Sequence, residues 1–393
     1  MRWACLTPFE QAVAELQALS TAESQASTLS LSHRGLASVP PLVLEACFAN
    51  VTALELSHNF LSLVPNIGAS PLASSLERLD LSHNLLTCVP SRLVDALPRL
   101  TRLTHLSLAH NRIQSLSGLP FRKMRCLTHL DVSHNALQAV PSRLARLTQL
   151  RRLDLAGNGF GHALPPRLFS ELTLLEELDL AGCALVSLPP DIEQLARLRV
   201  INLSDNPDLN GFPSGLWSLT SLRELHARYV LRLLARVCVK RPGLTPSFTP
   251  RRGICATSAP CKSQPSMTSL VAGVGRLSQL KSLDLSDNGL TDLPISGLVT
   301  LTQLERLLLG GNDLASMGAE VGRLSTLREL DLSRNRLTSL PLEMIGLVQL
   351  TTLNVEDNML VALPAQLSTL PLEKLSVGLQ NGCIRYVERG REL

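Results

Sequence analysis

Asparagine recurs through this 393-residue chain at a nearly fixed interval: Asn59, Asn84, Asn111, Asn135, Asn158, Asn206, Asn288, Asn312, Asn335 and Asn358. The steps are 25, 27, 24, 23, 48, 82, 24, 23 and 23 residues. Each asparagine follows a Leu-x-Leu-like pair, as in LERLDLSHNLL (Leu76 to Leu86) and LRELDLSRNRL (Leu327 to Leu337). The step of 48 holds one further unit, LEELDLAGCAL (Leu175 to Leu185), in which Cys183 stands where the asparagine belongs. At the front, LSLSHRGLASVP (Leu29 to Pro40) carries Arg34 at that position. A unit this short cannot bury its own apolar side, so a chain built of such units has to stack them.

The physics of one unit explains its fixed residues. A short strand sends its leucines to one face and the residue between them to the other, so the leucines form an interior and the intervening residues meet solvent. Where the chain turns inward, the asparagine amide offers donors and an acceptor to backbone groups that the turn would otherwise leave unpaired. The Leu-Pro step that follows, as at Val64-Pro65, Leu188-Pro189 and Leu340-Pro341, predicts an extended return, because proline sets its own φ and donates no hydrogen bond.

The pattern Leu-x-x-Leu-x-Leu-x-x-Asn/Cys-x-Leu, continued by x-x-Leu-Pro-x-x-Leu-x-x-Leu, resembles the leucine-rich repeat. The expected fold class is therefore α/β: a leucine-rich repeat solenoid, a horseshoe or arc with a parallel β-sheet on its concave face and short helical or extended segments on its convex face. Strands about 4.7 to 4.9 Å apart give some thirteen or fourteen layers a sheet roughly 60 Å long.

A stack exposes its end layers. Residues 1–25 are expected to hold a capping helix over 7 to 19, started by a capping box at Thr7, Pro8 and Glu10, with Phe9, Val13, Leu16 and Leu19 at helical spacing. Repeats are expected over 26–227 and 265–380, and a short or truncated C-terminal cap over 381–393. The step of 82 leaves about 35 residues over once the repeat phase is restored, an insert near 228–264.

That insert carries eight Arg and Lys and no Asp or Glu, so without it the net charge of the chain would change from +4 to −4. Arg228, Arg232, Arg236 and Lys240 would form one basic stripe on a helix, with Val230, Leu233, Leu234 and Val237 on another face, in the manner of a calmodulin target or a membrane-surface helix. The other reading is a disordered loop, or translated sequence foreign to the mature protein. The Pro, Ser and Thr of its second part favour that reading.

Three surface patterns are candidates for function. The position between the strand leucines holds Glu55, Asp80, Asp131, Asp154, Asp179, Asp284 and Asp331, and two residues earlier lie Arg78, His105, His129, Arg152, Glu177, Glu224, Arg306 and Glu329. Signs alternate between these two rows, which describes either compensation between strands or a patterned surface for a protein partner. The partner-binding residues expected from them are Glu55, Arg78, Asp80, His105, His129, Asp131, Arg152, Asp154, Asp179, Asp284, Arg306 and Asp331. Secondly, His33, His58, His83, His110 and His134 share one slot, predicting an exposed column about 5 Å per step: a pH-sensitive edge, a metal site, for which no neighbouring carboxylate or cysteine completes a first shell, or a solvated position multiplied by repetition. Thirdly, eleven Arg and Lys lie between Arg92 and Arg152 against Asp95 and Asp131 alone; with no aromatic interleaving and no nucleic-acid motif, a solvated convex face is expected rather than nucleic-acid binding.

Chemistry is not signalled. Ser57, His58 and Asn59 are consecutive at a strand end and cannot converge as nucleophile, base and orienter. Phosphate loops, zinc-protease motifs and nucleophile elbows are absent, so neither a catalytic residue, a metal nor a cofactor is expected. Nine cysteines without a Cys-x-x-Cys pair fit reduced thiols, and neither a secretory signal nor an apolar run long enough for a membrane span is found. These features place the expected location in the cytoplasm, with the nucleus as the other reducing compartment.

The unit LxxLDLSxNxLxxLPxxLxxL, the opening LSLSHRGLASVP and the closing IRYVERGREL are similar to the intracellular Ras-group leucine-rich repeat proteins, over residues 29–227 and 265–377. The resemblance implies a non-enzymatic intracellular scaffold that binds signalling proteins on its concave face, Ras-like GTPases among them. The competing class is a regulatory or substrate-recognition subunit of a phosphatase or ubiquitin ligase. It would need a docking motif or a further domain.

Overall fold

A computed structural model describes residues 7–21, 27–45, 48–161, 164–209, 211–230, 273–293 and 295–378. They fall into two compact units, one within Met1–Asn206 and Pro213–His226, the other within Pro207–Phe212 and Ala227–Leu393. Both are stacks of leucine-rich repeats. The first carries strands β1 (Thr28–Ser30), β2 (Ala53–Glu55), β3 (Arg78–Asp80), β4 (His105–Ser107), β5 (His129–Asp131), β6 (Arg152–Asp154), β7 (Glu177–Asp179), β8 (Val200–Asn202) and β9 (Glu224–His226). The second carries β10 (Ser282–Asp284), β11 (Arg306–Leu308), β12 (Glu329–Asp331), β13 (Thr352–Asn354) and β14 (Lys374–Ser376).

Within each unit every strand pairs in parallel with the next in sequence, and the register is set by the leucines. Leu79 faces Leu106, Leu106 faces Leu130 and Leu130 faces Leu153; in the second unit Leu307 faces Leu330 and Leu330 faces Leu353. These side chains and the leucine or valine two places after each are buried. A slip of one residue would turn the whole leucine file to solvent, which is why three-residue strands hold a single register.

The asparagines bind the layers together behind the strands. Asn84 donates from Nδ2 to the carbonyls of Leu81 (3.1 Å) and Ser82 (3.0 Å) in its own layer and to Leu56 (3.0 Å) in the previous one. Its Oδ1 accepts from Leu61 N–H at 2.9 Å. Asn59, Asn111, Asn135, Asn158, Asn206, Asn312, Asn335 and Asn358 make the same bonds within their own units, each reaching one layer back. Asn288 donates to Ala227 O at 2.8 Å and accepts from Val230 N–H at 2.8 Å, and Val230 fills the slot of the interrupted repeat. Cys183 supplies only its thiol, to Leu155 O at 3.1 Å.

The return segments combine the two expected forms, an extended proline and a short helical turn. Pro141, with φ −70° and ψ 133°, is the residue before a 3-10 helix over Ser142–Arg146, and Pro189, Pro213 and Pro341 likewise start 3-10 helices. Proline's fixed φ suits the residue that enters a helical turn as well as an extended one. In a 23-residue step the buried Leu144 and Leu147 are three apart, the 3-10 period; in the 27-residue step Leu93 and Leu97 are four apart and Ser91–Ala96 is α-helical. In the second unit the turns Ala319–Arg323 and Leu342–Gly346 pack so closely that a Cβ on Gly322 would meet Glu343 O, and one on Gly346 would meet Gly322 O.

Helix α1 spans Pro8–Thr21 and opens on the capping box. Thr7 N–H donates to Glu10 Oε2 at 2.8 Å, and Glu10 N–H donates to Thr7 Oγ1 at 3.3 Å. The Thr7 N–H and hydroxyl, both donating to the Glu10 carboxylate, hold it below its ordinary pKa. The buried stripe is displaced from the expected one: Ala12 and Leu16 are fully buried, whereas Phe9 and Leu19 are 38% and 41% exposed. Arg34 of the first repeat pairs with Glu15 of the helix at 2.8 Å. Of the insert, only Arg228–Val230 lies among the described residues, as do none of residues 381–393. Arg228 belongs to the repeat stack, paired with Asp287 at 2.8 Å.

Candidate interaction surface

The first unit's sheet presents two parallel files of side chains. The register sets Arg78, His105, His129, Arg152 and Glu177 side by side, and Asp80, Ser107, Asp131, Asp154 and Asp179 side by side. Seven of the expected partner-binding residues, Glu55, Arg78, Asp80, His105, His129, Asp131 and Arg152, line one open groove of about 400 Å³. Asp154 and Asp179 continue the acidic file beyond it. Asp284, Arg306 and Asp331 lie on the sheet of the second unit.

The aspartates have a structural duty that sequence reading missed. Asp80 Oδ1 accepts from Ser82 N–H at 2.9 Å, Asp154 from Ala156 at 3.1 Å, Asp179 from Ala181 at 2.9 Å, and Asp131 from both the Ser133 N–H (3.0 Å) and hydroxyl (2.7 Å). Asp284 and Asp331 do the same with Ser286 and Ser333. Each ends its strand in an Asx turn through Oδ1, and Oδ2 is left for solvent or a ligand except at Asp179, where it accepts from Asn202 Nδ2 at 3.0 Å. The Asp-Leu-Ser/Ala recurrence was the available signal.

Charge does not alternate along the acidic file. Asp131, Asp154 and Asp179 are direct neighbours on three consecutive strands, while the opposite-sign contact lies in the other file, Arg152 to Glu177 at 3.0 Å. Burial first, and then Asp131 and Asp179, raise the Asp154 carboxyl to about 6 from an ordinary 3.8. Because the native state keeps this proton to higher pH than the unfolded chain, the group's contribution to stability is fully present below pH 3.8 and is lost as pH rises to 6. Asn202 makes the same turn bond, to Ser204 N–H at 3.1 Å, so Asp154→Asn keeps the turn and removes the charge. We expect a gain of about 1 kcal/mol in denaturant unfolding at about pH 7.5, discounted for the partial exposure of the site, and none at about pH 4.

His105 and His129 form a pair that the sequence did not connect, their rings stacked with centroids 4.0 Å apart. Thr104 Oγ1 donates to Glu77 O and Thr128 Oγ1 donates to Thr104 O, both at 3.0 Å. With the hydroxyl protons so committed, each hydroxyl oxygen accepts from its neighbouring ring, His105 or His129 Nδ1–H at 2.8 Å. Burial, then His129 and Arg78, lower His105 to about 4; burial and Arg152 lower His129. At neutral pH the groove therefore has a neutral floor of two imidazoles with bare Nε2 acceptors, between Arg78 and Arg152.

The basic segment on the opposite side is partly compensated. Arg146 pairs with Glu171 at 3.1 Å, Arg102 pairs with Glu77, and Arg151 pairs with Glu176. Cys183 is buried, its thiol pushed up to about 12, and Cys88 and Cys126 are exposed and free. Among the described residues no group of three or more His, Cys, Asp and Glu could hold a metal, and no helix is long and apolar enough to cross a membrane.

This stack of strands, turns and asparagine ladders defines a leucine-rich repeat protein, and sequence models of that repeat agree. Residues 101–160 match a model described as leucine rich repeat, residues 74–121 one described as leucine rich repeats in two copies, and residues 174–195, 279–301 and 326–347 a further leucine rich repeat model. No curated protein sequence matches the chain. Among solved structures, it is similar to a leucine-rich repeat protein of Leptospira interrogans, with 26% identity, a TM-score of 0.68 and 93% of each chain covered. It shares its fold with an internalin of Listeria monocytogenes (20% identity, TM-score 0.66, covering 95% of this chain and 98% of that one). A TDR receptor also shares it (24% identity, TM-score 0.64), and there the match covers 95% of this chain and 58% of the receptor.

Proposed function

We propose that the chain is a non-catalytic scaffold of the intracellular Ras-group type, located in the cytoplasm, whose first-unit sheet face binds a signalling protein, with a Ras-like GTPase as the first candidate. The observation that carries this reading is the groove with its two ordered files. Arg78 and Arg152 flank a neutral histidine pair, and a file of carboxylates runs alongside, in which Asp80, Asp131 and Asp154 keep one oxygen beyond the turn bond. Proteins built of leucine-rich repeats generally act by binding other proteins, and a sheet face with charges held in fixed register favours specificity and rapid association.

The test is binding of GTP- and GDP-loaded Ras-like GTPases to the full chain by biolayer interferometry. Reversal of charge in Asp131→Arg/Asp154→Arg should weaken binding by about 10- to 100-fold, since like charges brought together in an interface cost several kcal/mol. Asp131→Asn/Asp154→Asn, which keeps the turns, should lose less. Arg143→Glu/Arg146→Glu, on the opposite side, should leave affinity within about threefold. Equal losses for the two reversals would sink recognition by the sheet face. If the GTPases fail to bind and another protein shows the same variant profile, the scaffold reading stands and the GTPase is replaced.

A further inference from the structure

The five histidines of the repeated slot lie away from the groove, at the turn edge of the first unit, and make a column. Rings of His33, His58, His83, His110 and His134 stack face to face with centroids 4.0, 3.9, 4.0 and 4.2 Å apart and interplanar angles of 11° to 15°. The spacing is tighter than the strand pitch of about 5 Å because the rings tilt into contact. All five residues have positive φ, 51° to 58°, a region where Asn, Asp and His are enriched among non-glycine residues. The left-handed backbone runs on through the same slot, which later holds Gly157, Gly182, Asp205, Asp287, Gly311 and Asp357, types that tolerate it, and also Tyr229 and Arg334. Backbone bonds from each histidine N–H to the next layer, such as His58 to Ser82 O at 3.1 Å and His83 to Ala109 O at 2.9 Å, fix the spacing. The column stops where the His134 ring lies over Gly157, at which a Cβ would come within 2.5 Å of Nδ1.

The ring faces are used on one another, so the column presents only its nitrogen edges. No described hydrogen bond reaches any of these ten ring nitrogens. The near-parallel lone pairs do not converge, so one metal ion cannot take two rings at about 2.0 to 2.1 Å unless the stack opens. The stacked faces also leave no platform for nucleic-acid bases. What the edges can do is donate, once protonated, in a line with one N–H file about every 4 Å. A carboxylate, with two acceptor oxygens, can take donors from adjacent rings.

We propose that this histidine column is an acid-switched docking edge for an acidic peptide segment of a protein partner. At neutral pH His58, His83 and His110 in its middle are uncharged. As pH falls, positive charges gather along the column, and neighbours at about 4 Å repel by about 1 kcal/mol even in water. Bound carboxylates relieve that repulsion, so ligand and protons assist each other's binding. The charged groups facing the column are few. Asp80 lies toward His58 and His83, Asp131 lies toward His110, and Arg34 beside His33 is held by Glu15 of α1. Burial and the neighbouring rings lower His58, His83 and His110 below the ordinary 6.5, so the edge charges only in mildly acidic conditions.

The test is fluorescence anisotropy of a labelled hexaglutamate peptide with the full chain at about pH 7.5 and about pH 5, where glutamate stays mostly ionised and Lys and Arg, those of the insert included, keep constant charge. We expect affinity to rise about tenfold or more on acidification. In His58→Asn/His83→Asn/His110→Asn, whose asparagines tolerate the left-handed backbone, the rise should shrink to about threefold or less. Should that variant not fold, His83→Gly, the residue native to this slot at Gly157, breaks the column in the middle. Equal affinity at the two pH values, or a rise that survives either variant, overturns the proposal. Tighter binding of a labelled thymidine hexanucleotide than of the peptide at about pH 5 also overturns it, in favour of a nucleic-acid edge.

Discussion

Asn206→Ala is expected to lower the unfolding free energy by about 3 to 5 kcal/mol, measured by urea denaturation followed by circular dichroism. Asn206 is fully buried and makes hydrogen bonds with both ends of its amide. Oδ1 accepts from Cys183 N–H (3.1 Å) and Leu185 N–H (3.0 Å), and Nδ2 donates to Leu180 O (2.9 Å), Leu203 O (2.8 Å) and Ser204 O (3.1 Å). Alanine would strand those backbone groups away from water, at about 1 to 3 kcal/mol for each that finds no other partner. Asn206→Cys should cost less than alanine, because a thiol fills the same slot natively at Cys183. Equal stability of the alanine variant would mean that water or a shifted turn replaces the amide, and that the ladder is not what joins the layers.

Phe169→Ala should cost a similar amount, about 3 to 5 kcal/mol in the same measurement. Aromatic residues make up only 3% of the chain, and among the described residues Phe169 heads the largest fully buried side chains. It sits in a 25-residue step, where Leu168 and Leu172 are four apart rather than three. The longer return segment encloses more volume than leucines alone fill. The residue is also anchored through its backbone, N–H to Asp191 Oδ2 at 2.7 Å, so the main chain has little freedom to collapse into a cavity. Phe169→Leu, the side chain most layers use, should recover part of the loss, and a loss under about 1 kcal/mol for alanine would show that the layer collapses.

The repeat was legible because its residues answer to local rules. The leucine pair, the asparagine and the capping box Thr7–Glu10 each state their role within a dozen residues, and so strands, ladder and first helix follow from reading along the chain. Other features were partly legible. The sequence placed five histidines in one slot, yet the tight stack depends on the left-handed backbone, whose signal was the appearance of glycine and aspartate in the same slot. The return after proline was legible as a short helical or extended segment; that the extended proline opens directly into a 3-10 turn, as Pro141 does before Ser142–Arg146, came only from the packed layers.

The sequence by itself determined that the chain stacks in layers, which residues point inward, and which positions face outward in file. Only the tertiary structure decided what the outward residues do, because that depends on neighbours some 23 to 27 residues away in sequence and one strand away in space. Asp131, Asp154 and Asp179 become adjacent like charges there, and Thr104 and Thr128 settle the proton on His105 and His129. Hydrophobic periodicity is a property of one segment. The charge and tautomer of a surface group belong to the set of side chains and backbone groups that stacking brings around it.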